Sequence, residues 1–231
     1  MTERSTPGSP RVGATSPRQR LSSDERQREI VAAVLELARD HGPDAITTHA
    51  IAERMGVTQG ALFRHFPDKQ AIWLAVFAWV RKSLGGALDD AIASARSPLG
   101  ALERAFEAHV ALVASHPGVP RMLFHELQYP DESPVRAEVR AMVGGYRKRL
   151  AALFARAKDA GELPQGLNTE FAPVLFIGAV QGLVVLSALD GDPATIRRRA
   201  QAAFALLLDG YRGIATAPAR RRAHRGPGRG A

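Results

Sequence analysis

Between Thr47 and Lys69 the chain gathers side chains suited to holding a nucleic acid rather than to making or breaking bonds. Gln59 carries an acceptor and a donor on one amide, the pair that can bond an adenine edge bidentately. Gly60 beside it offers no side chain, so another backbone or base can approach closely. Thr58 can cap a helix and also face a phosphate. His65 and Lys69 lie further along, where backbone phosphates would pass. Arg64 adds a cation that either meets phosphate or is simply solvated. Phe63 sits on the same outer side, where its ring could touch a thymine methyl.

Two short helices must position these groups. Thr47 or Thr48 can cap the first of them, with Ile51, Ala52 and Met55 inward and Gly56 ending it. Thr58 caps the next, which Pro67 closes. Leu62 and Phe66, four apart, turn inward, which leaves Gln59, Gly60, Phe63 and Arg64 outside. Such a pair is a helix-turn-helix, whose second helix enters the major groove with its N-terminal residues. The helix is short because it need fill only one stretch of groove. Against this stands a helical hairpin that binds nothing. Residues 24–70 carry six basic and eight acidic residues, so any affinity depends on placement.

Helical spacing runs through the rest of the chain. Ser22-Ser23-Asp24-Glu25 offers a capping box for a first helix carrying Ile30, Val31, Val34, Leu35 and Ala38, and Gly42-Pro43 ends it. A fourth helix starts near Asp68, with a bend expected at Gly85-Gly86. Further helices are expected near 98–115, 117–128, 133–160, 169–189 and 192–213, about nine in all, with no sheet. The fold class is therefore all-α.

The chain has 231 residues, 45% of them hydrophobic, no cysteine, and a net charge of +8. Residues 1–22 hold +3 of that charge and residues 216–231 hold +5, so the excess belongs to the tails. Both tails read as disordered. The N-terminus has no apolar core of a secretory signal, which points to the cytoplasm. Phe171 to Leu189 carries no formal charge and approaches the length of a membrane span, but Pro173, Gln181 and Ser187 interrupt it and no positive flank follows. A helix buried in protein suits it better. No GxSxG, P-loop, GxGxxG or HExxH pattern appears, and Asp40, His41 and Asp44 cluster only at a helix end, so catalysis is not expected. His109, His116 and His125 form no tight ligand pair, and neither metal nor cofactor is expected.

The run IVAAVLELARDHG followed by ITTHAIAERMGVTQGALFRHFPDKQAIW resembles the tetracycline-repressor (TetR) family of bacterial transcription regulators. Thr47-Thr48, Ile51-Ala52, Gly56-Val57, Gly60, Leu62, the aromatic at 63, His65-Phe66 and Lys69 fall in the family's order. By position, the resemblance implies phosphate contacts from Thr48, with Thr47 beside it, and from His65 and Lys69. It implies base contacts from Gln59 and Gly60, and either kind from His49. Phe63 stands where the family usually has Tyr, so a hydroxyl contact is lost.

It further implies a C-terminal body with a ligand cavity and a dimer-forming last helix pair. Gly178 and Gly182, four apart on a bulky helix, fit close approach across a two-fold axis. Phe171, Leu175, Gln181 and Val185 on that helix, with Ala202, Ala203, Leu206, Leu207 and Tyr211 on the next, complete the expected interface. Candidate pocket groups are Phe106, His109, His116, Met122, His125, Glu126, Tyr146 and Gln181, with Phe124 and Phe154 as further apolar lining, though His116-Pro117-Gly118 reads chiefly as a helix break. The expected division is a basic tail over 1–22, a DNA-binding domain over 23–69, a ligand-binding and dimerisation domain over 70–214, and an Arg-rich tail over 215–231. The expected function is a homodimeric regulator, by family default a repressor, on a near-palindromic operator, released by a small apolar or amphipathic effector. The alternatives are a nucleoid-associated or ligand-independent DNA-binding protein controlled by a protein partner, and a helical module that binds no DNA.

Overall fold

The computed structural model describes residues 22–192 and 194–213. The basic segments read as tails, Ser22 apart, lie outside the described residues. Nine helices and no strand occur among the described residues: α1 (Ser23–Asp40), α2 (Thr48–Met55), α3 (Gln59–Phe63), α4 (Lys69–Ser94), α5 (Pro98–Ser115), α6 (Gly118–Gln128), α7 (Pro134–Asp159), α8 (Ala172–Asp190) and α9 (Ala194–Gly213).

Short polar residues start most of them. Ser22 and Glu25 form a reciprocal capping box on α1, while Thr47, Thr58, Asp68, Ser97 and Ser133 each accept from a backbone N–H two or three residues into a helix. Thr47, not Thr48, is therefore the cap of α2. α8 begins later than its composition suggests. Asn168 Oδ1 accepts from the N–H groups of Glu170 and Phe171, and this Asx turn keeps the chain out of helix until Ala172. No break follows Gly85-Gly86: α4 runs unbroken, and the Gly85 carbonyl accepts from Arg149 Nη1 on α7.

α1 to α3 form a small head, in which Ile30, Val34, Ile51, Leu62 and Phe66 bury one shared apolar face. α4 leaves this head and runs into the body, packing along α5 and α7; α8 and α9 close the far side against α5 and each other. A ladder of rings fills the body's centre, Phe106 edge-on to Phe176 at 5.1 Å and Phe154 against Tyr211 at 5.2 Å. α6 is the joint. It lies on α1 of the head and on α7 of the body. Gly118 is required there: a Cβ at that position would lie 2.2 Å from Ala38 Cβ and 2.3 Å from the Ala38 carbonyl oxygen.

Candidate nucleic-acid interface and effector cavity

The turn between α2 and α3 fixes the reading surface. Gly56 takes φ 63°, a left-handed conformation open to glycine at low cost, and its N–H returns to the end of α2. After Val57 and Thr58 the chain enters α3, anchored by Leu62 alone within the helix. Gln59, Gly60, Phe63 and Arg64 are all exposed, Phe63 by 44%. Among the described residues nothing beyond its chain neighbours approaches the Cβ direction of Gly60 closer than Thr58 Oγ1 at 3.9 Å, so its small size serves no packing there. Thr47, His49 and Thr58 are exposed on the same head.

Three expected contacts are placed differently from their neighbours. Thr48 is half-buried, and its Oγ1 accepts from Gln59 Nε2 at 3.2 Å, so it holds the glutamine in place. Lys69 is also half-buried. Its ammonium donates to the Pro43 carbonyl at 3.1 Å and lies 4.9 Å from the centre of the Trp73 ring, and this burial lowers its pKa. It locks the α1–α2 turn onto α4. The His65 ring is half-buried with Nδ1 lacking a partner, while its carbonyl accepts from Gln27 Nε2. Arg26 and Arg54 are paired with Glu29 and Glu36, while Arg64 forms no ion pair among the described residues.

In the body, the expected pocket residues separate. Phe106 and Met122 are core side chains, fully enclosed by neighbouring helices rather than facing a cavity. Phe154 joins them in the ring ladder. His125 Nε2 lies 3.5 Å from Asp44 at the head, and Glu126 accepts from Ser133 Oγ to hold the α6–α7 turn. His116 stacks edge-on against Trp79. Their residue types resembled pocket groups, but helix faces decide placement and α6 turns this end toward the head. His109, Tyr146 and Gln181 do meet, around a cavity of ≈ 50 Å³ walled by Val80, Leu84, Val119, Pro120, Leu123 and other apolar side chains. The His109 ring is edge-on to Tyr146 at 5.3 Å. Burial lowers the His109 pKa to about 4 and raises that of the Tyr146 phenol.

α8 leaves one face uncovered. Phe171, Leu175, Gly178, Gly182 and Val185 recur every three or four residues and are exposed, with Val174, Leu186 and Leu189 alongside. Apart from the helix's own neighbouring atoms, nothing among the described residues lies within 4 Å of the Cβ direction of Gly178 or Gly182. On α9 Ala202 and Leu206 are exposed, Ala203 and Leu207 are half-buried against the core, and Tyr211 is buried. Gln181 turns into the cavity instead of joining the stripe. α4 and α8 are both long and apolar enough to cross a membrane by length and composition.

Residues 30–76 match the family described as bacterial regulatory proteins, tetR family, and residues 130–203 match the tetracyclin repressor-like C-terminal domain. The chain belongs to the TetR family. It is a DNA-binding transcriptional regulator, and members of this family bind their operators as homodimers. Among curated TetR-type relatives, the nucleoid occlusion factor SlmA of Actinobacillus pleuropneumoniae is 24% identical over 151 residues, 64% of this chain and 72% of that protein. The fatty acid degradation regulator FadR from Bacillus halodurans shares the fold with a TM-score of 0.70 at 20% identity, covering 81% of this chain and 96% of that one. FadR from Bacillus subtilis, solved with stearoyl-CoA, gives 0.67 at 19% identity over 79% and 98%. These relatives are regulators and DNA-associated factors, not enzymes.

Proposed function

We propose that this TetR-family protein is a repressor that reads a near-palindromic operator through α3 and leaves it when a small molecule enters the body. One observation carries the reading of DNA: α3 buries Leu62 and exposes Gln59, Gly60, Phe63 and Arg64 together. Gln59 is the base reader, oriented by Thr48. Gly60 admits the close approach, Phe63 meets a thymine methyl, and Thr47, His49, Thr58 and Arg64 meet phosphate. Thr48 and Lys69 act chiefly by positioning. The head is the unit over 23–69, and the body over 70–214 binds effector and pairs the subunits.

Release follows from the joint. Val119, Pro120 and Leu123 on α6 wall the cavity, while Gly118 and Arg121 hold the end of α1. α4 likewise runs from Lys69 in the head to Val80 and Leu84 at the cavity. A ligand that enlarges the cavity displaces α6 and α4 and so changes the separation of two heads that must span about 34–36 Å. It releases DNA by favouring the non-binding arrangement. The stearoyl-CoA in the B. subtilis neighbour supports a ligand site in such a body.

The decisive experiment selects bound sequences from a random DNA pool at moderate salt, using wild type and Gln59→Ala. A two-fold symmetric consensus that weakens or relaxes in the variant is expected. A salt-sensitive signal without consensus in either protein would overturn the reading. The similarity to nucleoid occlusion factors favours one second reading, a nucleoid-associated DNA binder controlled by a protein partner. Operator binding that no small molecule disturbs would select it.

A further inference from the structure

The cavity wall is apolar except at three side chains. His109 Nδ1 and Gln181 Oε1 are buried without a hydrogen-bond partner, and His109 itself is 95% removed from solvent. The Tyr146 hydroxyl also has no hydrogen-bond partner among the described residues, and its ring sits edge-on to that of His109. Leaving a buried polar atom unpaired costs free energy, so His109 Nδ1 and Gln181 Oε1 around one space, with the Tyr146 hydroxyl beside them, form a poor core but a serviceable receptor. Between them they offer a hydroxyl donor, an imidazole and an amide acceptor. A ligand hydroxyl satisfies this set, because it donates to Gln181 Oε1 while accepting from Tyr146 or His109.

The charge of the ligand follows from what is missing around that set. No Lys or Arg among the described residues lines the cavity. Arg149, whose charge acts on Tyr146, is already held by the Gly85 carbonyl and the Asp89 carboxylate. His109 stays neutral at physiological pH because burial disfavours its cationic form. A carboxylate brought here would lose its hydration with no counter-ion to replace it. A pure hydrocarbon would leave His109 Nδ1 and Gln181 Oε1 as unsatisfied as before.

We propose that the effector is an uncharged, mainly apolar molecule bearing one buried hydroxyl, which binds between His109, Tyr146 and Gln181. This rests on the reading of the body as an effector domain and narrows its ligand class. It also separates this chain from a receptor that buries an anionic head at this point.

The test uses matched probes of nearly constant shape: 2-indanol, indane and indane-2-carboxylate, with 1-octanol and octanoate as a flexible pair. Thermal shift and operator release by fluorescence anisotropy are measured on the full chain. The alcohols are expected to bind at least about tenfold more tightly than the hydrocarbon or the carboxylates. Tyr146→Phe and Gln181→Leu should each erase most of that preference. Both variants remove an unpaired polar atom, so the ligand-free protein should melt no lower than wild type, and Gln181→Leu about 2–4 °C higher. Equal or tighter binding of indane or of either carboxylate would overturn the hydroxyl assignment and leave an effector cavity of another class. Failure of both alcohols to bind would also overturn it. So would a preference that survives both substitutions. Operator affinity measured without probe in the same series keeps the DNA-binding reading separate from all these outcomes.

Discussion

A single imidazole illustrates how burial becomes a measurable property. His109 ordinarily titrates near 6.5, and its enclosure between α5 and α7 brings it to about 4. Between those values the unfolded chain binds a proton that the folded chain refuses, so stability rises with pH across the window. Acidification from about 6.5 to 4 should therefore cost on the order of 3 kcal/mol through this residue, with little further loss below. Urea midpoints from pH 4 to 8 for wild type and His109→Leu check it, since only wild type should carry this share of the acid slope. Identical slopes would show that the ring is not held neutral. At this scale the sequence was half legible. Gln59 stood out because a polar amide opening a short helix has few internal duties. Thr48 and Lys69 had equally suggestive types, but their side chains turn to Gln59 and Pro43, a consequence of packing between elements distant in sequence.

Elements were easier to read than their mutual placement. Caps are local chemistry, so Ser22, Thr47, Thr58, Asp68, Ser97 and Ser133 announce helix starts without tertiary information. The role of α6 was hidden because His116-Pro117-Gly118 reads as a helix break. The glycine is there for another reason, the contact with Ala38 across the joint. Gly118→Ala should destabilise the fold by about 1–3 kcal/mol in urea unfolding. Ala38→Gly should rescue it only in part, because the Ala38 carbonyl remains 2.3 Å from the added carbon. Arg121 offers a gentler cut. Its guanidinium donates to the carbonyls of Ala38 and Arg39, closing the end of α1. Arg121→Ala should leave ligand-free operator affinity within a few-fold of wild type while blunting release by an effector. If release is unchanged in anisotropy titrations, α6 is not the coupling element.

The whole molecule is a dimer whose two heads must act together, and its interface can be tested without disturbing either subunit. Phe171 at the start of α8 and Leu175, Val185 and Leu189 along it are exposed, and α9 adds Leu206, an apolar face suited to burial against a second subunit. We place the interface on this face: paired about a two-fold axis, the two helices of each subunit would make a four-helix seam. The glycines give the clean cut. Nothing within the subunit occupies the space beyond Gly182, and glycine is a poor helix former, so Gly182→Arg should leave the fold intact or slightly firmer. Across the axis, however, the guanidinium would have to be buried against the same residue of the partner, a like-charge contact with no counter-ion. Sedimentation at micromolar concentration should then find a folded monomer. Each monomer would bind a half-site alone, so affinity for the full operator should fall by roughly 10²–10⁴ while affinity for an isolated half-site changes little. A Gly182→Arg protein that still sediments as a dimer would place the interface elsewhere. A monomer that binds the full operator as tightly as wild type would mean that the two heads never depended on being joined.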